Sequence, residues 1–218
     1  MSARKLMAFA VLVVLGLAFY LGMDVYRDRT QAEQDARVSV EKSRLVRMHT
    51  QIIGPQDAPV TIVEFFDPAC ETCRAFYPIV KQIMAQYPGQ VRLALRYAPF
   101  HQGSDQVIKL LEAARKQDLY TPVLEALLAA QPTWADHQAP KLAIAFKTAE
   151  DAGLDLVRAR QDMETPEIHA VLAQDVEDLT ALQISQTPTF FVNGSSLPSF
   201  GPEQLARLVA EEVTKTRP

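Results

Sequence analysis

Two cysteines three positions apart constrain this chain more than any other feature. Cys70 and Cys73 are the only cysteines among 218 residues. They follow a β-branched and aromatic run at residues 60–66 and open a segment, residues 70–87, in which apolar residues recur at helical spacing. A second apolar run at residues 91–100 completes a strand–helix–strand order, which favours parallel pairing with a right-handed crossover. The pair is therefore predicted to lie where a buried strand leads into a helix.

Beyond residue 100 the pattern is helical and then returns to strands. The predicted helices cover residues 104–117, a segment starting with a cap at Thr121 and Pro122, and residues 139–152, 155–162 and 165–182. Residues 187–194 are predicted as a strand, and its final Asn193-Gly194 is a strong hairpin signal. Pro198 places the return strand, residues 195–200, at a sheet edge. An amphipathic helix then closes an α/β chain of the order β-α-β, several helices, β-β-α.

The N-terminal segment is predicted to lie outside that domain. Residues 6–23 are uncharged and apolar after Arg4 and Lys5, and as a helix they span about 27 Å, the thickness of a bilayer's hydrocarbon core. A cleaved signal peptide is the rival interpretation, but the end of the run lacks a clear small-x-small site, which favours a retained transmembrane anchor. Residues 24–50 are polar and are predicted as a helical spacer. Both interpretations send the body of the protein out of the cytoplasm.

Composition excludes one class of partner. The chain is 48% hydrophobic and 22% charged, with a formal net charge of −4, which is ordinary for a globular protein. Nucleic-acid binding normally leaves a basic patch or stripe. No such patch is seen, so no nucleic-acid partner is predicted.

The cysteine pair allows a structural staple, a metal site or a redox site. A disulfide between Cys70 and Cys73 closes so short a loop that it stabilises by only about 2 kcal/mol. A zinc site needs two more ligands, and no metal site is predicted because the four histidines are scattered along the sequence: His49, His101, His137 and His169.

Redox chemistry agrees with each local feature of the pair. Cys70 is expected at the helix N-terminus, where unpaired N–H groups and the helix dipole stabilise a thiolate. Cys73 lies one turn further in and is expected to be more buried. An exposed nucleophile beside a buried resolving thiol is what thiol–disulfide exchange needs.

The motif EFF-x₃-C-x₂-C-x₂-FYP, followed far downstream by TPTFFVNG, resembles the exported DsbA-type thiol–disulfide oxidoreductases. The resemblance covers the chain from about residue 53 to its end. It implies a thioredoxin fold in two halves, residues 51–103 and 185–218, with an all-helical insertion at residues 104–184. It also implies that no organic cofactor is needed.

The same resemblance implies roles for individual residues. Cys70 would be the attacking cysteine and Cys73 the resolving one. Pro188 matches a cis-proline that lies against the active-site disulfide, and Glu64 matches a buried acid that helps to move the proton of the inner cysteine. Residues beside these groups are expected to contact substrate: Thr187, Glu71 and Thr72.

One feature departs from the strongly oxidising members of that family, which carry a histidine between the cysteines. Here Glu71 and Thr72 stand there. A carboxylate opposes a thiolate by about 1 kcal/mol at roughly 4 Å in water-like surroundings, and the helix terminus favours it by about 0.3–1, and up to roughly 2, kcal/mol. Thiolate stabilisation is therefore expected to be modest and the protein a weaker oxidant.

The predicted protein is a single-pass protein of the bacterial inner membrane with its catalytic domain in the periplasm. It would exchange its disulfide with thiols of exported proteins and be reoxidised by a quinone-linked membrane partner. A reductase or isomerase on the same fold is one alternative. A non-enzymatic metal-delivery or assembly module is the other, since a fold alone does not fix function.

Two further residues are interpreted without a functional role. Trp134 is predicted to be a packing anchor of the helical insertion, because it stands alone among polar residues. His101 follows the second strand on a loop, where a histidine is usually solvated.

Overall fold

The apolar run at residues 60–66 forms the central strand of a five-stranded sheet in the computed structural model, which describes residues 43–216. The strands are β1 (Gln51–Ile53), β2 (Val60–Phe66), β3 (Val91–Tyr97), β4 (Thr189–Val192) and β5 (Ser195–Ser196), in the spatial order β1-β3-β2-β4-β5. β2 pairs in parallel with β3, and the other pairings are antiparallel. Six of the seven side chains of β2 are buried, as a strand covered on both faces requires.

Seven complete helices accompany the sheet in the described part of the chain. They are α1 (Glu71–Gln86), α2 (Ser104–Arg115), α3 (Tyr120–Trp134), α4 (Leu142–Asp151), α5 (Leu156–Met163), α6 (Pro166–Ala181) and α7 (Pro202–Lys215). α1 connects β2 to β3, helices α2 to α6 lie between β3 and β4, and α7 follows β5. The predicted thioredoxin-type order with a helical insertion is thus confirmed.

Differences from the predicted elements are local. β1 was not predicted, because three residues are too few to show a period. β5 has two residues rather than six, and Pro198, which lacks a ladder donor, lies beyond its end. α3 begins at Tyr120 with Leu119 as its N-cap, so the predicted cap at Thr121 was wrong.

The predicted hairpin at Asn193-Gly194 is confirmed. Both residues have positive φ, 48° and 89°, which a tight turn of this type requires and which glycine adopts without a steric penalty. The Asn193 side chain accepts a hydrogen bond from the backbone N–H of Thr61 at 2.9 Å. The turn is therefore tied to the central strand as well as closing β4 onto β5.

Alternation along the strands separates two hydrophobic clusters, one on each face of the sheet. Ile62 and Phe66 belong to the larger cluster, which includes both cysteines and extends through the helices of the insertion. Val63 and Phe65 belong to the smaller cluster. Because successive side chains of a strand point to opposite faces, Glu64 lies on the same face as the cysteines.

Trp134 is fully buried in the larger cluster. Its indole N–H donates to the carbonyl oxygen of Leu127 at 2.9 Å. The prediction that it is a packing residue is confirmed.

A buried ion-pair network lies on the opposite face of the sheet. The guanidinium of Arg96 on β3 donates to Asp175 at 3.0 Å and to Asp178 at 2.7 Å, both on α6. Arg47 also donates to Asp178, at 2.6 Å. Burial alone would raise the pKa of the Asp178 carboxyl, but hydrogen bonds from Arg47 and Arg96 outweigh that effect and hold the pKa below its usual value.

The compact unit begins at Arg44, several residues before the domain start expected at residue 51. Leu45 is only 4% exposed and belongs to the smaller cluster, and Arg47 bonds to α6. The predicted membrane span and most of the predicted spacer lie outside the described residues. Within residues 43–216 no helix is both long and apolar enough to cross a bilayer.

Replacement of Asp178 by alanine is expected to lower the free energy of unfolding by about 3 kcal/mol, because it removes one of the two carboxylates that compensate the buried Arg96 charge and leaves Asp175 as the other. Glu177→Ala is the matched control: this side chain is well exposed, and its loss should change stability by about 0.5 kcal/mol or less. Urea unfolding measures both. Because the pKa of Asp178 is lowered in the fold, the difference from wild type should be present at neutral pH and narrow as the pH falls through that pKa.

Candidate active site

The loop between β2 and α1 is fixed by one buried carboxylate, Asp67. It accepts hydrogen bonds from the backbone N–H of Ala69 at 2.8 Å, of Phe100 at 2.8 Å and of His101 at 3.0 Å. The hydroxyl of Ser104 and Nδ1 of His101 contact the same carboxylate. Asp67 thereby joins the end of β2, the loop after β3 and the start of α2, and it sets where α1 begins.

Cys70 is the N-cap of α1 and Cys73 lies in its first turn, as predicted. Both are free thiols in this structure. Cys70 is 5% exposed and Cys73 is fully buried. The expected order of exposure is confirmed, but the expectation that Cys70 is openly exposed was wrong, because the segment before β4 covers its sulfur.

The pKa of Cys70 is lowered to about 5. The main cause is a hydrogen bond from Cys73. Hydrogen bonds from the Thr187 side chain and from the backbone amides of Cys73 and Thr72 lower the pKa further, whereas burial of the thiol raises it. The modest thiolate stabilisation expected from the sequence was therefore wrong, since that expectation weighed the helix terminus against Glu71 and omitted the second sulfur.

Cys73 has the opposite character. Its pKa is raised far above that of an ordinary thiol, first by burial, then by its hydrogen bond to Cys70 and by the nearby Glu64. At neutral pH the pair holds one thiolate, on Cys70, and one thiol, on Cys73. Such an asymmetric pair suits an attacking sulfur and a resolving sulfur.

Glu64 is fully buried on the face of β2 that carries the cysteines. Neither of its carboxylate oxygens has a hydrogen-bond partner among residues 43–216. Burial, together with the charge on Cys70, raises the pKa of Glu64 well above its ordinary value. The burial expected from the resemblance is confirmed, and the raised pKa favours the neutral acid, the form that can supply a proton to the nearby Cys73.

The segment before β4 brings the predicted proline to the site. The Thr187–Pro188 peptide bond is cis, as the resemblance implies. The carbonyl oxygen of Thr187 lies 3.4 Å from Sγ of Cys70. Thr187 and Pro188 thus form the wall that covers the reactive sulfur.

An aromatic groove continues from this wall. It has a volume of about 160 Å³ and is lined by Gln186, Pro188, Thr189, Phe190, Ser196, Leu197 and Phe200. The ring of Phe76 on α1 lies 4.8 Å from the ring of Phe200 and 5.4 Å from that of Phe190. Phe200 is nevertheless 50% exposed, which leaves an apolar surface beside the reactive sulfur.

The helical insertion reaches the site through Gln131 on α3. Its buried Nε2 donates to the carbonyl oxygen of Pro68 at 2.8 Å and to that of Cys70 at 3.0 Å. These carbonyls belong to the loop that carries the nucleophile. Sequence reasoning missed Gln131 and Asp67, since neither stands in a motif with its partners.

The histidines are closer together than the sequence suggests. His101 contacts Asp67, and its ring lies 4.6 Å from that of His137. Nε2 of His137 lies 3.1 Å from a carboxylate oxygen of Glu71. The expectation that His101 is merely solvated was wrong: its side chain is held at the edge of the active site.

The titration midpoint of the Cys70 thiolate, followed by ultraviolet absorbance, is expected at about pH 5. Cys73→Ala should raise that midpoint, because it removes the largest cause of the low pKa. Cys73→Ser retains an O–H donor and should raise it less. Glu71→Gln is a second comparison and should have the smallest effect, since its carboxylate faces His137. A midpoint that stays near 5 in Cys73→Ala would contradict this account.

Comparison with known proteins agrees with the fold. A family model described as thioredoxin matches residues 47–211. The crystal structure of a thioredoxin-like oxidoreductase from Silicibacter pomeroyi is 27% identical and superposes with a TM-score of 0.68 over 80% of this chain and 98% of that one. The likeness extends over the sheet, the insertion and the cysteine loop together.

Two curated relatives differ in how much of them the chain matches. The probable disulfide bond formation protein D of Bacillus anthracis is 24% identical over 225 aligned positions, covering 98% of this chain and 99% of that protein. The Na(+)/H(+) antiporter NhaA 3 of Salinispora tropica is 35% identical over 144 residues, 65% of this chain, but the chain spans only 21% of the antiporter's length. Because the thioredoxin family model matches residues 47–211, most of its length, the chain belongs to the thioredoxin family.

Proposed function

We propose that this protein is a thiol–disulfide oxidoreductase that acts outside the cytoplasm and oxidises thiols of exported proteins. The observation that carries the proposal is the sulfur pair at the start of α1: a thiolate on Cys70 with a pKa of about 5, bonded to a buried thiol on Cys73. At pH 7 the thiolate is therefore the prevailing form of Cys70. No staple and no ordinary buried cysteine needs that property.

The first step uses the oxidised pair. A substrate thiolate attacks Sγ of Cys70, the Cys70–Cys73 bond breaks, and a mixed disulfide forms between the substrate and Cys70. Cys73 leaves as a thiolate, which is unstable in its apolar site. Neutral Glu64 donates its proton to that sulfur and becomes a carboxylate. The carboxylate then regains a proton from solvent. Burial of Glu64 without a hydrogen-bond partner in the described chain supports this role, because a buried acid kept neutral is a proton source.

The second step releases the oxidised substrate. Another substrate thiolate attacks the substrate sulfur of the mixed disulfide, and Cys70 departs with the electron pair of the broken bond. A thiol of low pKa is the better leaving group, so the pKa of about 5 favours release at Cys70. Two electrons pass from the substrate to the enzyme's cysteines, and the substrate gains a disulfide.

Stabilisation of the Cys70 thiolate also indicates the direction. A reduced form stabilised in this way makes the dithiol the preferred product and the disulfide an oxidant. We infer a moderate oxidant, weaker than relatives with histidine between the cysteines, because Glu71 offers no fixed positive charge to the thiolate. The name of the Bacillus anthracis relative, a disulfide bond formation protein, supports oxidation rather than reduction.

The aromatic groove beside Pro188 suits an extended, unfolded segment of a reduced exported protein. Its exposed Phe200 offers contact area without reading a particular sequence. Reoxidation of the dithiol then requires a partner, which we propose is a quinone-linked membrane protein. Residues 6–23 would hold the enzyme in the inner membrane with its site in the periplasm.

The oxidised full-length protein is expected to speed disulfide formation in a reduced, unfolded substrate and to reduce insulin poorly. Cys70→Ser should abolish the activity, since no mixed disulfide can form. Cys73→Ala should accumulate substrate on Cys70 when the substrate is offered as a disulfide, because the Cys70 thiolate attacks that disulfide, one substrate thiolate leaves, and no thiol at position 73 resolves the mixed disulfide, which non-reducing electrophoresis and mass spectrometry detect. Efficient insulin reduction together with a reduction potential near that of reducing thioredoxins would instead establish the reductase alternative.

Glu64→Gln is expected to slow formation of the mixed disulfide by roughly a hundredfold, the lower end of what general-acid catalysis contributes. The rate of mixed-disulfide formation is measured by stopped-flow fluorescence quenching or by the appearance of the released thiol. The free energy of unfolding of Glu64→Gln should rise at neutral pH, although its reaction is slower. The unfolded chain ionises Glu64 above a pH of about 4.5, whereas the folded chain keeps it neutral, so Glu64 costs stability increasingly as the pH rises. A variant that is slower yet no less stable at pH 7 separates a proton-transfer role from a packing role.

A further inference from the structure

Three side chains from separate segments meet beside the cysteine loop. Glu71 is the first residue of α1, His101 lies in the loop between β3 and α2, and His137 lies in the loop between α3 and α4. One ligand atom from each lies within 4.8 Å of the other two. The cluster is open to solvent, because Glu71 and His137 are exposed and His101 is partly exposed.

The distances within this cluster are close to those of a metal site. In a tetrahedral zinc site with bonds of about 2.0–2.2 Å, neighbouring ligand atoms lie roughly 3.3 Å apart. Nε2 of His137 and the carboxylate oxygen of Glu71 are 3.1 Å apart, which matches one edge of that tetrahedron. All three ligand atoms lie within 4.8 Å of one another, so each remaining edge has to shorten by at most about 1.5 Å to reach the tetrahedral spacing. Two histidines and one glutamate are also a known ligand set for zinc with an open fourth position.

His101, the least exposed of the three side chains, is already oriented to bind a metal ion. Nδ1 of His101 lies 2.7 Å from Asp67. The same carboxylate already accepts three backbone N–H groups and a hydroxyl; when Nδ1 donates to it as well, the opposite ring nitrogen, Nε2, presents a lone pair. A carboxylate behind a histidine in this way is a recurrent support of zinc ligands.

The loop of His137 is also held in place. A carboxylate oxygen of Asp136 accepts hydrogen bonds from the backbone N–H groups of Gln138 and Ala139, at 2.9 and 2.8 Å. His137 is thus presented from a braced turn towards Glu71. An ordinary surface ion pair between His137 and Glu71 would need neither this brace nor a second histidine whose ring centre lies 4.6 Å away.

We propose that Glu71, His101 and His137 form a binding site for Zn²⁺ at the rim of the active site. The ion would join the helical insertion, through His137, to the cysteine loop and the strand end, through Glu71 and His101. Imidazole nitrogens suit zinc and not the oxygen-seeking Ca²⁺ and Mg²⁺. This site goes beyond the redox activity proposed above and does not depend on it.

The test titrates the full-length chain with Zn²⁺ while the Cys70–Cys73 disulfide is closed, so that the cysteines cannot act as ligands. Calorimetry is expected to show one equivalent binding with a dissociation constant in the micromolar range or below. The melting temperature should rise with zinc, and the signals of His101 and His137 should shift in imidazole NMR spectra. Ca²⁺ and Mg²⁺ should produce neither effect.

Exposed ligands allow variants that do not disturb the core. Glu71→Gln and His137→Gln should each weaken zinc binding by at least about tenfold. The matched control is His169→Gln, since His169 is exposed and lies 3.7 Å from Glu164 but has no second histidine beside it. It should bind zinc as the wild type does.

Three results would overturn the proposal. The first is no saturable zinc binding by the disulfide form at micromolar concentrations. The second is equal affinity of the wild type and His137→Gln. The third is binding that occurs only after the disulfide is reduced, which would assign the metal to Cys70 and Cys73.

Discussion

The start of the cysteine loop, the loop after β3 and the start of α2 are held together by the hydrogen bonds that Asp67 accepts. A carboxylate removed from water is costly unless donors surround it, and the donors available here are backbone amides of the cysteine loop and of the loop after β3, with a hydroxyl at the start of α2. Satisfying that single group therefore forces three chain segments together. The start of α1, the presentation of Cys70 and the orientation of His101 all follow from it.

Within that frame the chemistry comes from an asymmetry between two like groups. Cys70 and Cys73 have the same ordinary pKa, yet one is shifted down and the other up, because a single S–H···S contact favours charge on one sulfur while burial disfavours it on the other. Glu64 extends this asymmetry, as burial on β2 keeps it neutral. Burial of the Glu64 carboxyl costs stability, and it places a neutral acid where the proposed disulfide exchange needs a proton.

The sequence allowed prediction of those parts of the fold that have a local period or motif. The central strand, the start of α1 and the hairpin at Asn193 were anticipated for that reason, whereas the cis bond before Pro188 was anticipated only from the resemblance to DsbA-type proteins. Asp67, Gln131 and His137 were missed because their partners stand far away in the chain, where no spacing links them. The exposure of Cys70 was misjudged for the same reason, since its cover arrives with Thr187, more than a hundred residues later.

Gln131 carries a consequence for the modularity of this architecture. One amide group belonging to the insertion donates to the carbonyl oxygens of Pro68 and Cys70. The Cys70 oxygen also accepts the backbone N–H of Arg74 at 3.1 Å, so it is the Pro68 oxygen that depends most on Gln131. A different bundle of equal size and shape could not simply be transplanted between β3 and β4. Any graft must bring an N–H donor to the Pro68 carbonyl oxygen, so the insertion and the loop that carries Cys70 are constrained to evolve as partners.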